Sequence, residues 1–128
     1  MTIYLYAGLL GLMFLALSLY VISRRWKHKI AMGDGENKEM RQAIRCHANF
    51  AEYVPMMLVL LFLSEFEGAP DWLIHIFGIC LIVGRSLHFI GLSKHTGTSR
   101  GRFFGMILTF TSLAGAALTC LFYYLAQL

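Results

Sequence analysis

Charge is what this sequence has least of. Eleven Lys and Arg and seven Asp and Glu make up 14% of 128 residues, against about a quarter in a soluble domain. So thin a polar coat excludes a soluble globule. Proline is nearly absent, at 2 residues, which excludes a Pro-rich linker or tail. The three cysteines, Cys46, Cys80 and Cys120, are odd in number and lack metal-ligand spacing. That excludes a disulfide scaffold, leaves reduced packing residues and gives no reason to expect a metal. A length of 128 residues excludes a multidomain enzyme or a large α/β nucleotide binder. What the chain has is apolar surface, 58% of its residues, far too much for a disordered polymer. These counts point to a small all-α membrane protein of one domain.

The apolar residues come in blocks. Residues 2–23 carry no charge, and at about 1.5 Å per residue they span the roughly 30 Å hydrocarbon core. No basic segment precedes this run and it is too long for a signal peptide, so a retained helix is expected. Residues 49–64 are apolar apart from Asn49, Glu52 and Ser64, residues 72–84 continue through Arg85 and His88 to Leu92, and residues 103–128 are uncharged. The spacing predicts four transmembrane helices, at about 2–23, 37–64, 71–92 and 101–126. No alternating segments of the kind a barrel needs are present. Gly33-Asp34-Gly35 is turn chemistry, and Asn37 is placed to cap the second helix. Glu67 to Asp71 breaks the chain again, with Asp71 as the expected cap of the third helix. Lys94 to Gly101, with Gly97, Thr98 and Ser99, forms the third connection. Pro55 inside the second helix predicts a kink.

Charge placement sets the topology. Arg24, Arg25, Lys27, Lys29, Lys38, Arg41 and Arg45 lie in or beside the first connection, and Lys94, Arg100 and Arg102 lie in or beside the third. The second holds Glu65, Glu67 and Asp71 and no basic residue. The positive-inside rule therefore predicts connections one and three in the cytoplasm and both termini outside. No soluble basic face remains for nucleic acid. His28, His75 and His95 carry no motif.

The second helix holds the most informative pattern. At 100° per residue, Lys38, Arg41, Arg45, Asn49 and Glu52 share a stripe about 80° wide. It runs from the basic end toward mid-membrane, where an ionisable side chain facing lipid costs several kcal/mol. The stripe must face a bundle interior, a subunit interface or a wet cavity. Arg45 and Glu52, seven residues apart, are expected not to reach each other. Arg85 and His88 share one face of the third helix, so Arg85 is expected to pair with Glu52, with Asn49 between. Interhelical glue is one reading of these residues. A site that needs surplus positive charge is the other, because at least four cations converge on one acid.

The run Arg41-Gln-Ala-Ile-Arg45-Cys-His47-Ala-Asn49-Phe-Ala-Glu52-Tyr53-Val-Pro55 resembles the signature of the MAPEG superfamily, the membrane-associated proteins in eicosanoid and glutathione metabolism. Gly84-Arg85-Ser-Leu-His88 resembles its third-helix motif, and Gly33-Asp34-Gly35 is similar to the small bacterial branch. The resemblance covers the whole chain. It implies a homotrimer of four-helix protomers in a bacterial inner membrane, with glutathione as co-substrate between subunits near the cytoplasmic face. Arg45 and Asn49 would hold the peptide. Glu52 would take its ammonium or orient Arg85, and Arg41 would add charge. His47 and Tyr53 match family contact positions, His47 lying about 120° from Arg41 on the wheel. Arg25 would help with a carboxylate. In the family an Arg at the start of the fourth helix stabilises the thiolate, and here Arg102 is preferred to Arg100. Leu92 replaces a family Tyr, and His88 holds a neighbouring Tyr position, which removes a phenol donor.

Three functions are weighed. The first is a glutathione transferase attacking a lipophilic electrophile, with reduction of lipid hydroperoxides as a variant. The second is a non-catalytic lipid- or partner-binding protein on the same fold. The third is a small drug exporter, which the clustered Arg residues and the one-sided charge argue against.

Overall fold

A computed structural model describes residues 1–94, 97 and 99–128. His95 and Thr98 of the third connection lie outside the described residues. The chain forms four long helices: α1 (Ile3–His28), α2 (Lys38–Phe66), α3 (Asp71–Lys94) and α4 (Arg100–Ala126). Each is long and apolar enough to cross a membrane.

The boundaries follow the expected ones, with one clear difference. α1 continues past the apolar run to His28, carrying Arg24, Arg25 and Lys27 in its last turns. An apolar count stops where charge begins, but helical geometry has no reason to stop there. At about 1.5 Å per residue, the 29 residues of α2 exceed the hydrocarbon core by roughly 14 Å. That excess is long enough for its basic first turns to stand outside the hydrocarbon core. α2 passes through Pro55 as one helix.

The turn at residues 33–36 needs left-handed backbone. Gly33 and Gly35 adopt φ of 67° and 54°, values that cost glycine nothing. Asn37 then caps α2, its side chain accepting from the Met40 N–H at 3.0 Å. Ser99 caps α4 in the same way, accepting from the Arg102 N–H at 3.3 Å. Asp71 is the first residue of α3 and not its cap. Its carboxylate is engaged elsewhere, accepting the Thr2 hydroxyl at 2.8 Å. At the same acidic end, the Glu65 carboxylate accepts the N–H groups of Thr2 and, at 2.9 Å, Ile3. Thr2 offers α1 no side-chain cap, so Glu65 satisfies donors that a helix start leaves open. His75 pairs nearby with the Tyr6 hydroxyl at 2.7 Å.

α3 and α4 pack most closely, and glycine is the reason. A Cβ on Gly91 would stand 2.6 Å from the Arg102 backbone nitrogen, and one on Gly105 would stand 2.6 Å from the Gly84 carbonyl. Small residues let membrane helices approach backbone to backbone. The core between the helices holds Leu10, Met57, Leu61, Ile74 and Leu81, all fully buried. Cys46 is buried, Cys80 and Cys120 are half-buried, and all three are free thiols. Large apolar side chains such as Leu12, Leu19, Phe62, Ile79, Phe110 and Leu118 point outward, as a hydrocarbon environment permits.

Candidate functional site

The polar stripe of α2 opens on a cleft of about 310 Å³, lined by Lys38, Arg41, Gln42, Arg45 and Asn49 of α2, His88 and Leu92 of α3, and Arg102 of α4. Four cations line it, and among the described residues no carboxylate does. α2 contributes five residues because they recur on one helical face. The tight α3–α4 contact brings the start of α4, and Arg102 with it, over the end of α3. Arg102 is steadied by donating to the Gly97 carbonyl at 2.8 Å. Gln42 spans from α2 to α3, donating to the Leu92 carbonyl at 3.0 Å.

Arg41 is held at the mouth by Asp34, with Nε 2.6 Å from the carboxylate. That hydrogen bond holds the Asp34 carboxyl below the usual carboxylate range, helped by the Glu36 N–H. Turn and helix are thus tied at the entrance.

Arg45 corrects one expectation. Its guanidinium reaches Glu52 at 3.5 Å, with both side chains half exposed. Two helical turns separate the Cα atoms by about 10.5 Å, but two long side chains extended along one face close that gap. Glu52 is therefore engaged within its own helix and does not meet Arg85.

Arg85 is buried, at 3% exposure. Its Nη1 donates to the Asn49 side-chain oxygen at 2.6 Å, and its Nε donates to the Thr109 hydroxyl at 3.1 Å. Nη2 meets the Met106 sulfur at 3.2 Å, and the guanidinium stands 5.5 Å over the Tyr53 ring. Every one of these partners is neutral. The expected ion pair is replaced by a neutral shell because Asn49, not Glu52, lies opposite Arg85 on the inner side of α2.

The remaining candidates scatter. His47 lies off the stripe, as its wheel angle predicts, and faces α1, 3.1 Å from the Ser18 hydroxyl and against the Phe14 ring. Tyr53 packs edge-on against Phe110 at 5.6 Å. Arg25 turns away from the cleft and donates to the carbonyls of Ile30, Ala31 and Gly33, the last at 3.1 Å. It finishes the end of α1, where carbonyls lack helical partners. Arg100 lines a different surface with Leu87, Ile90 and Lys94, because its position falls about 160° from Arg102 on the wheel. Sequence reasoning missed Gln42, although its wheel angle sits beside that of Asn49.

The family model for the MAPEG family matches residues 3–122. The chain is 39% identical over 119 residues to the inner membrane protein YecN of Escherichia coli, covering 93% of this chain and 89% of that protein. The YecN protein of a second Escherichia coli strain matches at the same 39% identity and the same coverage. A match across nearly the whole chain, on four long apolar helices with the signature residues gathered on α2, makes this protein a member of the MAPEG family.

Proposed function

We propose that the protein is a glutathione transferase of the bacterial inner membrane, working as a homotrimer with connections one and three in the cytoplasm. The cleft carries this reading. Lys38, Arg41, Arg45 and Arg102 line it with no carboxylate in the lining among the described residues, the acids paired with Arg41 and Arg45 standing outside it, on the side of the molecule that holds the basic connections. The inner-membrane name of the Escherichia coli relative supports the location.

Glutathione brings two carboxylates, one ammonium and a thiol. Arg41 and Arg45 offer forked donors for the acids. Glu52, at the edge of the same stripe, offers a carboxylate for the ammonium. Arg102 stands with His88 on the α3–α4 side of the cleft. A cation beside a thiol favours its thiolate, so Arg102 is the residue that would activate sulfur. The proton leaves to water, the sulfur attacks a lipophilic electrophile, a carbon–sulfur bond forms and the leaving group departs with its electron pair. With a lipid hydroperoxide, the thiolate takes the terminal oxygen, the lipid alcohol leaves, and a second glutathione yields the disulfide and water. The open side of the cleft is where a neighbouring subunit would complete the site.

The test is thermal unfolding in detergent with and without millimolar glutathione, followed by turnover of a chromogenic aryl halide. Binding stabilises the native state by mass action. We expect the unfolding midpoint to rise by roughly several degrees. Arg102→Ala should lose turnover while keeping most of that shift. No shift in the wild type would overturn the reading.

One observation favours a second reading on the same fold. Leu92 lines the cleft, and no Tyr, Ser, Thr or Cys does among the described residues. Without a hydroxyl to aid the sulfur, the cleft would bind an anionic lipid or partner without chemistry. A midpoint shift with no turnover toward any electrophile would favour it.

A further inference from the structure

A buried cation with no anion beside it needs a reason, because a charge taken out of water without a counter-charge costs several kcal/mol. Among the described residues Arg85 is such a cation. Its contacts are the Asn49 side-chain oxygen at 2.6 Å, the Asn49 backbone carbonyl at 3.4 Å, the Thr109 hydroxyl at 3.1 Å, the Met106 sulfur at 3.2 Å and the Tyr53 ring face. Thr109 already donates its own proton to the Gly105 carbonyl at 2.8 Å, so its lone pair is fixed toward Arg85.

The same logic fixes Asn49. A guanidinium has only donors to offer, so the Asn49 atom against it must be oxygen. The amide nitrogen is thereby turned the other way. It has no acceptor among the described residues and is not sealed off, and Asn49 lines the cleft. Its N–H groups therefore open on the same space as Arg41, Arg45 and Arg102.

We propose that Arg85 is a positioning residue: by capturing the Asn49 carbonyl oxygen it locks the amide with its N–H groups facing the cleft, so that Asn49 donates to an acidic or carbonyl group of the bound peptide. The buried charge holds a rotamer and does not touch the ligand. This rests on the glutathione reading for the ligand's identity, but not for the amide's orientation.

Asn49→Asp separates this role from a structural one. The aspartate gives Arg85 the counter-charge it lacks, so a purely structural link is strengthened. It also turns the cleft-facing donor into an acceptor. We expect Asn49→Asp to keep or raise the unfolding midpoint in detergent while weakening glutathione binding, measured by calorimetry, on the order of tenfold or more. Arg85→Lys, whose single ammonium cannot hold Asn49 and Thr109 as a rigid fork does, should weaken binding by a smaller factor. If the wild type binds glutathione and Asn49→Asp binds it equally well, the positioning role is overturned and the transferase reading stands.

If the wild type does not bind glutathione, the transferase reading falls and a ligand-free measurement decides the rest. Asn37 and Asn49 are the chain's two asparagines, so ¹⁵N-asparagine labelling gives two pairs of side-chain amide signals. Arg85→Lys should move or broaden the Asn49 pair and leave the Asn37 pair in place. An unchanged Asn49 pair would overturn the proposal.

Discussion

Arg41 shows how a single residue can serve two masters. It lines the cleft and is tethered by Asp34 at 2.6 Å. The tether sets a negative charge at the mouth of a site read as binding an acid. Asp34→Asn removes that charge and frees the guanidinium, so glutathione affinity by calorimetry should rise about two- to threefold and the gain should shrink with added salt. The pH dependence has a definite sign. The Asp34 carboxyl is held below its ordinary range by the Arg41 hydrogen bond. The contribution of the pair to stability is thus full above the ordinary carboxylate value of about 3.9, and is lost as pH falls through the lower native value. The ratio of wild-type to Asp34→Asn stability should stay flat from about pH 5.5 to 8 and converge toward one in strong acid. A ratio that drifts across the neutral range would contradict this assignment.

The residue scale is also where the sequence was partly readable. The α2 stripe was legible because helical angles are fixed by the backbone, and Lys38, Arg41, Arg45 and Asn49 do share a cleft. The partners were not legible, because they depend on side-chain reach and on the inner edge of each face. Arg45 closes on Glu52, Arg85 finds Asn49, and Arg25 finishes the end of α1. Two adjacent arginines can do different work for this reason: Arg24 lies over the Tyr20 ring at 4.8 Å while Arg25 holds carbonyls.

At the scale of elements, the α3–α4 contact decides where Arg102 stands. Gly91 and Gly105 bring the helices within backbone contact, and this close approach was not visible in a count of apolar residues. Gly91→Ala would set a methyl 2.6 Å from the Arg102 nitrogen and 2.6 Å from the Ser99 hydroxyl. The start of α4 must move. We expect a loss of about 1–3 kcal/mol in reversible unfolding and a fall in turnover larger than the fall in glutathione affinity, since Arg102 is the displaced group. Gly8→Ala is the control, because nothing stands within 4 Å of the new methyl in the protomer and alanine favours a helix by roughly 1 kcal/mol. Equal effects of the two changes would mean that the packing argument is wrong.

The whole molecule leaves much apolar surface outward. On α1 this includes Tyr4, Leu5, Leu12, Leu15 and Leu19, and on α4 Leu118, Leu121 and Phe122. A bilayer accepts all of it, and a neighbouring protomer would cover part. For the proposed trimer, native mass spectrometry in mild detergent should release particles of three 14.5 kDa chains, and glutathione should raise the trimer fraction because it would bind between copies. Only single chains, with or without glutathione, would remove the shared-site part of the proposal. The fold class, four membrane helices with basic residues gathered at one end, was legible from composition and charge placement alone. Assembly was not, since lipid-facing and subunit-facing residues are equally apolar.

The carboxylate of Glu65 has one more consequence, for the order in which the chain is made. It accepts the N–H groups of Thr2 and Ile3, so the first turn of α1 is closed by a residue that a ribosome adds 63 positions after Thr2. Until α2 has been synthesised to its far end, the first turn of α1 must leave those donors to water. The helix itself is long and apolar enough to cross the bilayer alone, so Glu65 fixes the docking of α1 and not its insertion. Amide exchange at Thr2 and Ile3 should be fast in chains that end before Glu65 and slowed in chains that extend beyond it.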